Sequence, residues 1–520
     1  MIKLIDTAHT VPLSCLRMSK QFPPTPEQIR IIHFKGSRLV VIAFAGTGKT
    51  TTLVNYALAN PNRRMLYIAF NRSVRDEAMA KFPRNVDCKT SHQIAYAVIG
   101  KKYRHKQKQN LTLSDISREL NSKSWGTLKD VLETLKNFLA SEDEQVLTGH
   151  TPQNEKPQSL SPPELQYKAG LVELANRLWD RMKDIEHPFP MIHDGYLKLY
   201  QLSKPNLAIQ YSTILFDEAQ DANPVTSAIV TSQKCIVILV GDRHQQIYRF
   251  RGAENALDNP AMADEPRMYL TNSFRFGPQV AMVANAILTL KDEPHRVIGR
   301  GKPDHVLTKL PSGLPHVAVL HRTVLGTIQT AIVAANAGHK VYWVGGAEKK
   351  DKKKGQENPR LAELKDAYWL YKGERHLVKN KRLLSEFNNF SQYEQVAKET
   401  GNSEMRRTIA LIKEPNILEQ LQTLIANLVE EEQQAQVTVS TAHNAKGLEW
   451  ENVALSDDFP DIFAMSDKPE IRDDEINLLY VAVTRAMHRL AINGMVETIL
   501  RYTLLKRKEA QTKIHATGYL

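Results

Sequence analysis

The stretch RLVVIAFAGTGKT, residues 38–50, predicts the core of the fold. Its first half is a continuous apolar run rich in valine and isoleucine, which is typical of a parallel strand buried on both faces. Its second half carries two glycines followed by a lysine and a threonine, and residues 51–59 then favour a helix. A buried strand that enters a helix through a glycine-rich turn predicts an α/β domain with a phosphate-binding loop.

The loop predicts a binding site for ATP and Mg²⁺. The usual pattern begins with glycine, and Ala43 stands in that position here. Lys49 is expected to reach the β- and γ-phosphates, and the Thr50 hydroxyl to bind Mg²⁺. For this motif alone, a glycine-rich turn without a ligand remains the alternative. The residues predicted from the loop to contact the nucleotide are Ala45, Gly46, Thr47, Gly48, Lys49, Thr50 and Thr51.

An acidic pair follows a second apolar run. Asp217 and Glu218 come directly after the segment ILF at 214–216. Asp217 is predicted to hold Mg²⁺ through water, and Glu218 to take the proton of the attacking water. A third run, KCIVILVGD at 234–242, leads into residues 241–253, GDRHQQIYRFRGA. There Gln245 is expected to sense the γ-phosphate, with aromatic side chains close behind it.

Composition narrows the class of protein. The chain has 520 residues, enough for several domains, and 42% hydrophobic with 24% charged residues is ordinary for a folded soluble protein. The formal net charge of +12 favours a polyanion, with nucleic acid as the first candidate. Three cysteines without CxxC spacing argue against a zinc site and fit a reducing compartment. We see no signal-peptide core or membrane-spanning run, and expect a soluble protein that is not secreted and binds no membrane.

The order of segments predicts two α/β units, each interrupted by a largely helical segment. Strand-like runs resume at 316–322 and 340–346, and again at 436–443, 451–455 and 489–494. In the first helical segment, apolar residues recur at helical spacing after a Ser161-Pro162 start and are expected to face a core. They are Leu171, Leu174, Leu178, Met182 and Ile185.

Six motifs occur in the order found in superfamily 1 helicases of the UvrD, Rep and PcrA type, and the chain resembles that family. They are AFAGTGKT (43–50), FDEAQD (216–221), GDRHQQIYRFRGA (241–253), NSFRF (272–276), STAHNAKGLEW (440–450) and NLLYVAVTRA (477–486). Within that family, the sequence is most similar to the helicase portion of F-box DNA helicases, as in YIAFNRSV (67–74), TSHQIAYAVIG (90–100) and HDGYLKLYQLS (193–203). No F-box pattern precedes residue 25, so we expect no ubiquitin-ligase role.

The resemblance implies an α/β fold of two RecA-like P-loop domains with parallel sheets. The first RecA-like, ATP-binding domain would comprise residues 1–99 and 206–270, with a helical insertion at 100–205. The second would comprise 271–346 and 436–520, with an insertion at 347–435 that is short beside UvrD and PcrA. In HRTVLG, Val324 replaces the asparagine that relatives often carry.

The resemblance also implies roles around ATP, which would lie between the two α/β units. Gln28 falls where the family recognises adenine, and Phe274 where an aromatic ring stacks on that base. Arg275 and Arg485 correspond to arginines that contact the γ-phosphate, and such arginines neutralise charge that develops during phosphoryl transfer. Glu449 matches a residue near the ribose.

For the DNA strand, the resemblance implies two kinds of contact. Aromatic side chains would stack on bases without reading sequence, and hydroxyl, amide and cationic groups would contact the backbone. The implied strand-binding residues are Phe70, Asn71, Thr90, His92, Tyr248, Phe250, Arg251, Thr441, His443 and Lys446.

Charged runs outside these motifs have plainer interpretations. KKYRHKQK (101–108) and EKKDKKKG (348–355) could touch a duplex or could be solvated surface, and both readings stay open. RDDE (472–475) is expected to cap the helix that carries NLLYVAVTRA, not to bind a metal.

The function predicted from these motifs is an ATP-dependent DNA helicase or translocase that moves 3′ to 5′ along single-stranded DNA, in repair, recombination or replication. The alternatives are a 5′-to-3′ or RNA-directed enzyme of the same superfamily, and an ATP-switched nucleic-acid-binding adaptor without unwinding. The expected partners are single-stranded DNA and single-strand/duplex junctions, with a recombinase or nuclease partner left open. We expect a monomer, located with the nucleoid in a prokaryote or phage and in the nucleus of a eukaryote.

Overall fold

The computed structural model describes residues 23–152, 161–249, 252–345, 359–399, 403–465 and 469–517. The chain divides into two compact units, with the division between Thr271 and Asn272. Within the described ranges, each unit contains a six-stranded sheet, and no helix is both long and apolar enough to span a membrane.

The sheet of the first unit is parallel throughout. Its strands are β1 (Arg38–Ala43), β2 (Met65–Ala69), β3 (Val86–Thr90), β4 (Thr213–Phe216), β5 (Ile236–Gly241) and β6 (Arg267–Leu270). They lie in the order β3-β2-β4-β5-β1-β6, and every neighbouring pair runs parallel. The carboxyl ends of all six strands therefore meet at one edge, which is where open α/β sheets bind ligands.

Helices cover both faces of this sheet. They are α1 (Pro26–Ile32), α2 (Lys49–Ala59), α3 (Arg72–Lys81), α4 (Ser91–Val98), α5 (Leu113–Leu120), α6 (Trp125–Ala140), α7 (Pro162–Lys183), α8 (His193–Leu202) and α9 (Pro224–Thr231). Alternate residues of β1 belong to different cores. Val40 packs in the core that contains Phe138 and Leu178 of the helical segment, whereas Leu39 and Val41 pack in the core on the opposite face.

The second unit repeats this arrangement with its own sheet. The order β11-β12-β10-β13-β14-β9 is again parallel, with β7 and β8 as a separate pair. The strands are β7 (Asn272–Ser273), β8 (Ile298–Gly299), β9 (His305–Leu307), β10 (Val317–His321), β11 (Val341–Trp343), β12 (Val437–Thr441), β13 (Trp450–Leu455) and β14 (Ala486–Ala491). The prediction of an α/β fold with parallel sheets is confirmed.

Helices of the second unit fall into two groups. The helices are α10 (Pro278–Thr289), α11 (Val324–Asn336), α12 (Pro359–Lys372), α13 (Lys381–Glu386), α14 (Phe390–Glu399), α15 (Ser403–Ile412), α16 (Ile417–Asn427), α17 (Pro469–Val483) and α18 (Gly494–Thr517). Five of them, α12 to α16, form a helical segment between β11 and β12. The others, α10, α11, α17 and α18, precede or follow individual strands of the sheet along the chain. The lysine run at 348–355 lies outside the described residues.

The structure differs from the sequence prediction at identifiable places. Strands β3, β6 and β9 were not predicted, because each is an edge strand that is only partly buried and so lacks a continuous apolar run. Ile185 does not belong to the core-facing stripe: α7 ends at Lys183 and Ile185 is 38% exposed. Residues 472–475 lie inside α17 and do not cap it, since that helix begins at Pro469.

Two of the buried lysines in the helical segment of the first unit, Lys106 and Lys198, complete the ends of helices. The Lys106 ammonium donates to the carbonyls of Arg181 and Asp184 at the end of α7, and Lys198 donates to those of Ser141 and Asp143 just beyond α6. Lys106 belongs to the basic run at 101–108, so that run is not wholly solvated surface. Both lysines supply donors to helix-terminal carbonyls that would otherwise be unsatisfied.

Replacing Lys198 by methionine should destabilise the first unit. Its side chain is fully buried over the Phe138 ring, and its loss leaves two carbonyls without their charged donor. We expect the free energy of unfolding to fall by about 1–3 kcal/mol, measured by hydrogen exchange of the α6 amides. Lys204→Met is the control, because that side chain is 78% exposed and should leave exchange unchanged. A Lys198→Met protein as stable as the wild type would contradict the role.

The same lysine should make stability depend on pH. Burial lowers the pKa of Lys198 from 10.5 to about 8. Between these values the unfolded chain binds more protons than the folded chain, so the wild-type free energy of unfolding should gain a contribution that rises with pH. This rise should be absent in Lys198→Met when both proteins are compared over that range.

Candidate nucleotide site and strand-binding residues

The glycine-rich loop connects β1 to α2 at the carboxyl edge of the first sheet. Ala43 is the last residue of β1, and Gly46 and Gly48 adopt left-handed conformations with φ of 72° and 76°. The Thr47 hydroxyl donates to the carbonyl of Phe44 at 2.8 Å and closes the loop on itself. Glycine populates this backbone region readily, so the loop can turn tightly and present N–H groups at the start of α2.

Four predicted side chains come together around this loop. The Lys49 ammonium lies 3.0 Å from a carboxylate oxygen of Glu218, and the Thr50 hydroxyl donates to Asp217 Oδ2 at 3.1 Å. Asp217 and Glu218 follow β4, which lies next to β5 in the sheet. Glu218 is a non-glycine residue in the left-handed region, with φ of 53°, so the chain turns sharply directly after Asp217.

The charges of this cluster change one another's proton affinity. Burial alone would lower the pKa of Lys49, but the negative charges of Glu218, Asp242 and Asp217 outweigh it, and the pKa is raised. Burial and the neighbouring Glu218 raise the pKa of Asp217, against the opposing effect of Lys49. Lys49 is therefore held in its charged form, as a phosphate-binding lysine requires.

Gln28 lies against the same loop. Its amide nitrogen donates to the carbonyl of Thr47 at 3.3 Å, and its amide oxygen accepts the backbone N–H of Thr25 in the capping box of α1. The neighbouring Glu27 accepts both the backbone N–H and the hydroxyl of Thr271. The adenine-recognition role of Gln28 stays a prediction, but the side chain does contact the phosphate loop.

A chain of hydrogen bonds runs from Glu218 to Gln245. The Gln220 amide donates to Glu218 Oε2 at 2.6 Å, and its oxygen accepts the backbone N–H of Asp242 at 3.0 Å. Asp242 Oδ2 in turn accepts the amide of Gln245 at 2.7 Å. A Cβ atom at Gly241 would lie 2.4 Å from the Gln220 amide oxygen, so only glycine leaves room for this arrangement.

This chain distinguishes the two neighbouring glutamines. Gln245 is bonded to Asp242, whereas the Gln246 amide donates to the carbonyl of Ala253, further along the segment. Three residues beyond Gln245, the Tyr248 ring stacks on Phe70 with centroids 5.7 Å apart and planes 11° apart. Phe70 follows β2 and is 43% exposed. One segment therefore joins the acidic cluster to an aromatic pair.

The other predicted strand-binding residues of the first unit have local partners. The Asn71 side chain caps α3 and the Thr90 side chain caps α4, so both oxygens accept backbone N–H groups. His92 pairs with Asp194 at 3.1 Å. Phe250 and Arg251 lie outside the described residues.

In the second unit, Arg275 is held by two groups. Its Nε donates to Glu449 at 2.6 Å and its Nη1 to the carbonyl of Thr484 at 3.1 Å. Phe274 lies beside it, directly after β7. The Glu449 side chain is 48% exposed. The predicted ribose contact of Glu449 stays a prediction, and the structure adds this ion pair.

Arg485 lies in the turn between α17 and β14 and is almost fully buried. Its Nε donates to the carbonyl of Val481 and its Nη1 to that of Leu448. Leu448 adjoins Glu449, and Thr484 adjoins Arg485, so the two predicted arginines share neighbours in the same part of the second unit.

The predicted backbone-contacting residues of the second unit follow β12. Thr441 ends that strand, and its hydroxyl oxygen accepts the backbone N–H of Asn444. His443 and Lys446 lie in the turn that follows, with the Lys446 N–H donating to the His443 carbonyl at 3.4 Å. Both side chains are partly exposed, as contacts with a strand would require.

Sequence reasoning missed three polar residues of the first-unit cluster. They are Tyr67, Gln220 and Asp242. Gln220 and Asp242 stood inside quoted motifs without an assigned role. The signal was the position of Asp242 directly after β5 and of Gln220 in the turn that follows β4. Tyr67 gave a weaker signal, as a phenol within the apolar run MLYIA.

A parallel sheet whose first strand enters a helix through a glycine loop, beside a lysine, a threonine and an acidic pair, defines a P-loop nucleotide-binding protein. A family model described as the UvrD/REP helicase N-terminal domain matches residues 24–259. A second, the UvrD-like helicase C-terminal domain, matches residues 326–496. The chain belongs to the UvrD-like helicase family.

Relatives of known name agree with this assignment. The chain is 35% identical to F-box DNA helicase 1 of Gallus gallus, over 92% of this chain and 49% of the relative. It is 29% identical to F-box DNA helicase protein 1 of Schizosaccharomyces pombe, over 91% of this chain and 57% of the relative. A probable DNA helicase II homolog of Mycoplasma genitalium is 26% identical over 48% of this chain and 40% of the relative. The chain thus spans about half the length of the F-box relatives that it matches.

Proposed function

We propose that this protein is an ATP-dependent DNA helicase or translocase. The observation that carries the proposal is the largely buried cluster at the carboxyl edge of the first sheet, where Lys49 pairs with Glu218 and Thr50 with Asp217. These groups form a phosphoryl-transfer site in a chain of the UvrD-like family. The relatives' names add DNA as the proposed substrate.

The donor set around the loop suits Mg²⁺ together with ATP. Thr50 and Asp217 offer hydroxyl and carboxylate oxygens, which are the ligands that Mg²⁺ prefers. Thr50 and Asp217 would hold the Mg²⁺, which would neutralise the negative charge that develops on the phosphates. Lys49 would hold the phosphates, and Glu218 would take the proton of the attacking water.

Hydrolysis would be coupled to the strand through the segment that follows β5. Gln245 is linked to Glu218 through Asp242 and Gln220, and Tyr248 lies three residues further on, stacked on Phe70. A shift of Gln245 toward or away from the γ-phosphate would therefore act on a base-stacking pair. Such coupling converts a local phosphate contact into movement along DNA.

The arginines of the second unit would complete the chemistry. Arg275 and Arg485 are proposed to contact the γ-phosphate, where an arginine is worth roughly 10³–10⁵ in rate. The ion pair of Glu449 with Arg275 supports a positioning role for this carboxylate, as an alternative to the ribose contact that the family resemblance implies.

The finer assignments rest on the family resemblance. They are 3′-to-5′ movement on single-stranded DNA, action at single-strand/duplex junctions, and a role in repair, recombination or replication. A recombinase or a nuclease would be the protein partner, and the nucleus the location if the source cell has one.

The decisive assay measures ATP hydrolysis and unwinding with single-stranded DNA, single-stranded RNA, and duplexes tailed at the 3′ or the 5′ end. We expect DNA to stimulate hydrolysis and only the 3′-tailed duplex to be unwound. Lys49→Ala and Arg485→Ala should each abolish turnover, because each removes a charge from the γ-phosphate, and both should retain strand binding.

Other outcomes of this assay point to other functions. Strand binding without DNA-stimulated hydrolysis would support the ATP-switched adaptor. Stimulation by RNA alone would support an RNA-directed enzyme of the superfamily, and unwinding of the 5′-tailed duplex would support a 5′-to-3′ enzyme. Near-normal hydrolysis in Lys49→Ala would contradict the site assignment itself.

Tyr248→Ala should weaken binding to single-stranded DNA by about 1–3 kcal/mol, the usual value of stacking on one base. DNA stimulation of hydrolysis should fall with it, while basal hydrolysis changes less, and fluorescence anisotropy with a labelled oligonucleotide measures the binding. Trp125→Ala is the control, since Trp125 is an exposed aromatic on α6. If Tyr248→Ala and Trp125→Ala weakened DNA binding equally, the proposed stacking role of Tyr248 would be wrong.

Glu449→Gln should lower kcat for ATP by about 10–100-fold with little change in KM, because the charge-assisted bond that orients Arg275 is weakened. The loss should largely disappear in an Arg275→Ala background. A ribose contact would instead raise KM in Glu449→Gln, and that increase would vanish with 3′-deoxy-ATP. Steady-state kinetics with ATP and with 3′-deoxy-ATP separates the two roles.

A further inference from the structure

Tyr67 is a buried phenol in the centre of β2 that contacts the proposed magnesium ligand. Its side chain has 0% exposure, and its hydroxyl donates to Asp217 Oδ2 at 2.8 Å. β2 pairs with β4, the strand that ends directly before Asp217, so the contact is built into the sheet. None of the roles proposed above uses this residue.

Packing alone does not account for a tyrosine at this position. The ring lies in an apolar core against Phe82, with centroids 4.7 Å apart, and phenylalanine would fill that space equally. A buried hydroxyl without a partner is costly, so a phenol is kept where its O–H finds an acceptor. A phenol is protonated at neutral pH, so the hydroxyl acts as a donor to the Asp217 carboxylate.

The geometry shows what the hydroxyl does for the carboxylate. Asp217 Oδ1 accepts the backbone N–H of Glu218 at 2.9 Å, while Oδ2 accepts both Tyr67 and Thr50. Thr50 is itself proposed as a magnesium ligand, so its hydroxyl cannot serve only Asp217. Tyr67 is not a proposed magnesium ligand, so its hydroxyl can donate to Oδ2 both with and without a bound nucleotide.

We propose that Tyr67 is a positioning residue for the magnesium site: its hydroxyl fixes the orientation of the Asp217 carboxylate, which would hold Mg²⁺. The proposal rests on the proposed function, because it presupposes an Mg²⁺–nucleotide site at Lys49, Thr50 and Asp217. Hydrogen bonds to a ligating carboxylate from outside the ligand set fix its direction, and their removal typically weakens metal affinity by about 10–100-fold.

The test uses Tyr67→Phe, which removes one oxygen and keeps the ring. Binding of a fluorescent ATP analogue is measured as a function of Mg²⁺ concentration. We expect the Mg²⁺ concentration that gives half of the maximal analogue binding to rise about tenfold or more in Tyr67→Phe. Binding of the analogue in the presence of a chelator should be the same as in the wild type. Hydrolysis should recover at high Mg²⁺, and the defect should be smaller with Mn²⁺, which binds oxygen and nitrogen ligands more tightly.

Tyr56→Phe is the matched control. Tyr56 is also fully buried in the same core, but its hydroxyl accepts from Arg63 at 3.2 Å and contacts no carboxylate of the site. This variant should keep the wild-type Mg²⁺ dependence.

Three results would overturn the proposal. Equal Mg²⁺ dependence of Tyr67→Phe and Tyr56→Phe would overturn it while leaving the proposed function intact. Loss of the wild-type thermal unfolding transition in Tyr67→Phe would show that the hydroxyl serves the fold and not the metal site. Absence of any Mg²⁺-dependent nucleotide binding in the wild type would remove the proposed function together with this inference.

Discussion

The first unit depends on the burial of charge at one edge of its sheet. Lys49, Asp217, Glu218 and Asp242 meet where β1, β4 and β5 end, and a buried charge is tolerated only when it is paired and hydrogen-bonded. Each member therefore carries a partner of opposite charge or a polar donor. Loss of one partner would leave its neighbours with an unpaired charge, so the members of the cluster hold one another in place.

That requirement explains features that would otherwise look unrelated. Gly241 has no side chain because the Gln220 amide must reach Asp242, and Glu218 takes a strained backbone conformation directly after Asp217. Strain and close approach of this kind concentrate at functional sites. The same hydrogen bonds extend to Gln245, so the segment that carries Tyr248 is tied to the charged cluster and not merely adjacent to it in sequence.

The arginines of the second unit are held mainly by backbone carbonyls and not by a cluster of charged side chains. Arg485 is buried with its guanidinium on backbone carbonyls, and Arg275 is anchored by one carboxylate and one carbonyl. A planar guanidinium held at two of its nitrogens has a defined orientation, and within the described residues Nη2 of Arg275 forms no hydrogen bond. Arg275 therefore has a fixed orientation, which would suit the γ-phosphate contact proposed for it.

The sequence by itself determined the buried strands, the glycine loop, the acidic pair and the family, because continuous apolar runs and fixed motif spacings are local signals. Edge strands β3, β6 and β9 escaped it, since these partly buried strands carry no continuous apolar run. Only the tertiary structure showed that Tyr67 donates to Asp217 across 150 residues, that Gln220 bridges Glu218 and Asp242, and that Glu449 pairs with Arg275. These contacts join residues that are distant in sequence, and their geometry is set by strand order and register, which no short stretch encodes.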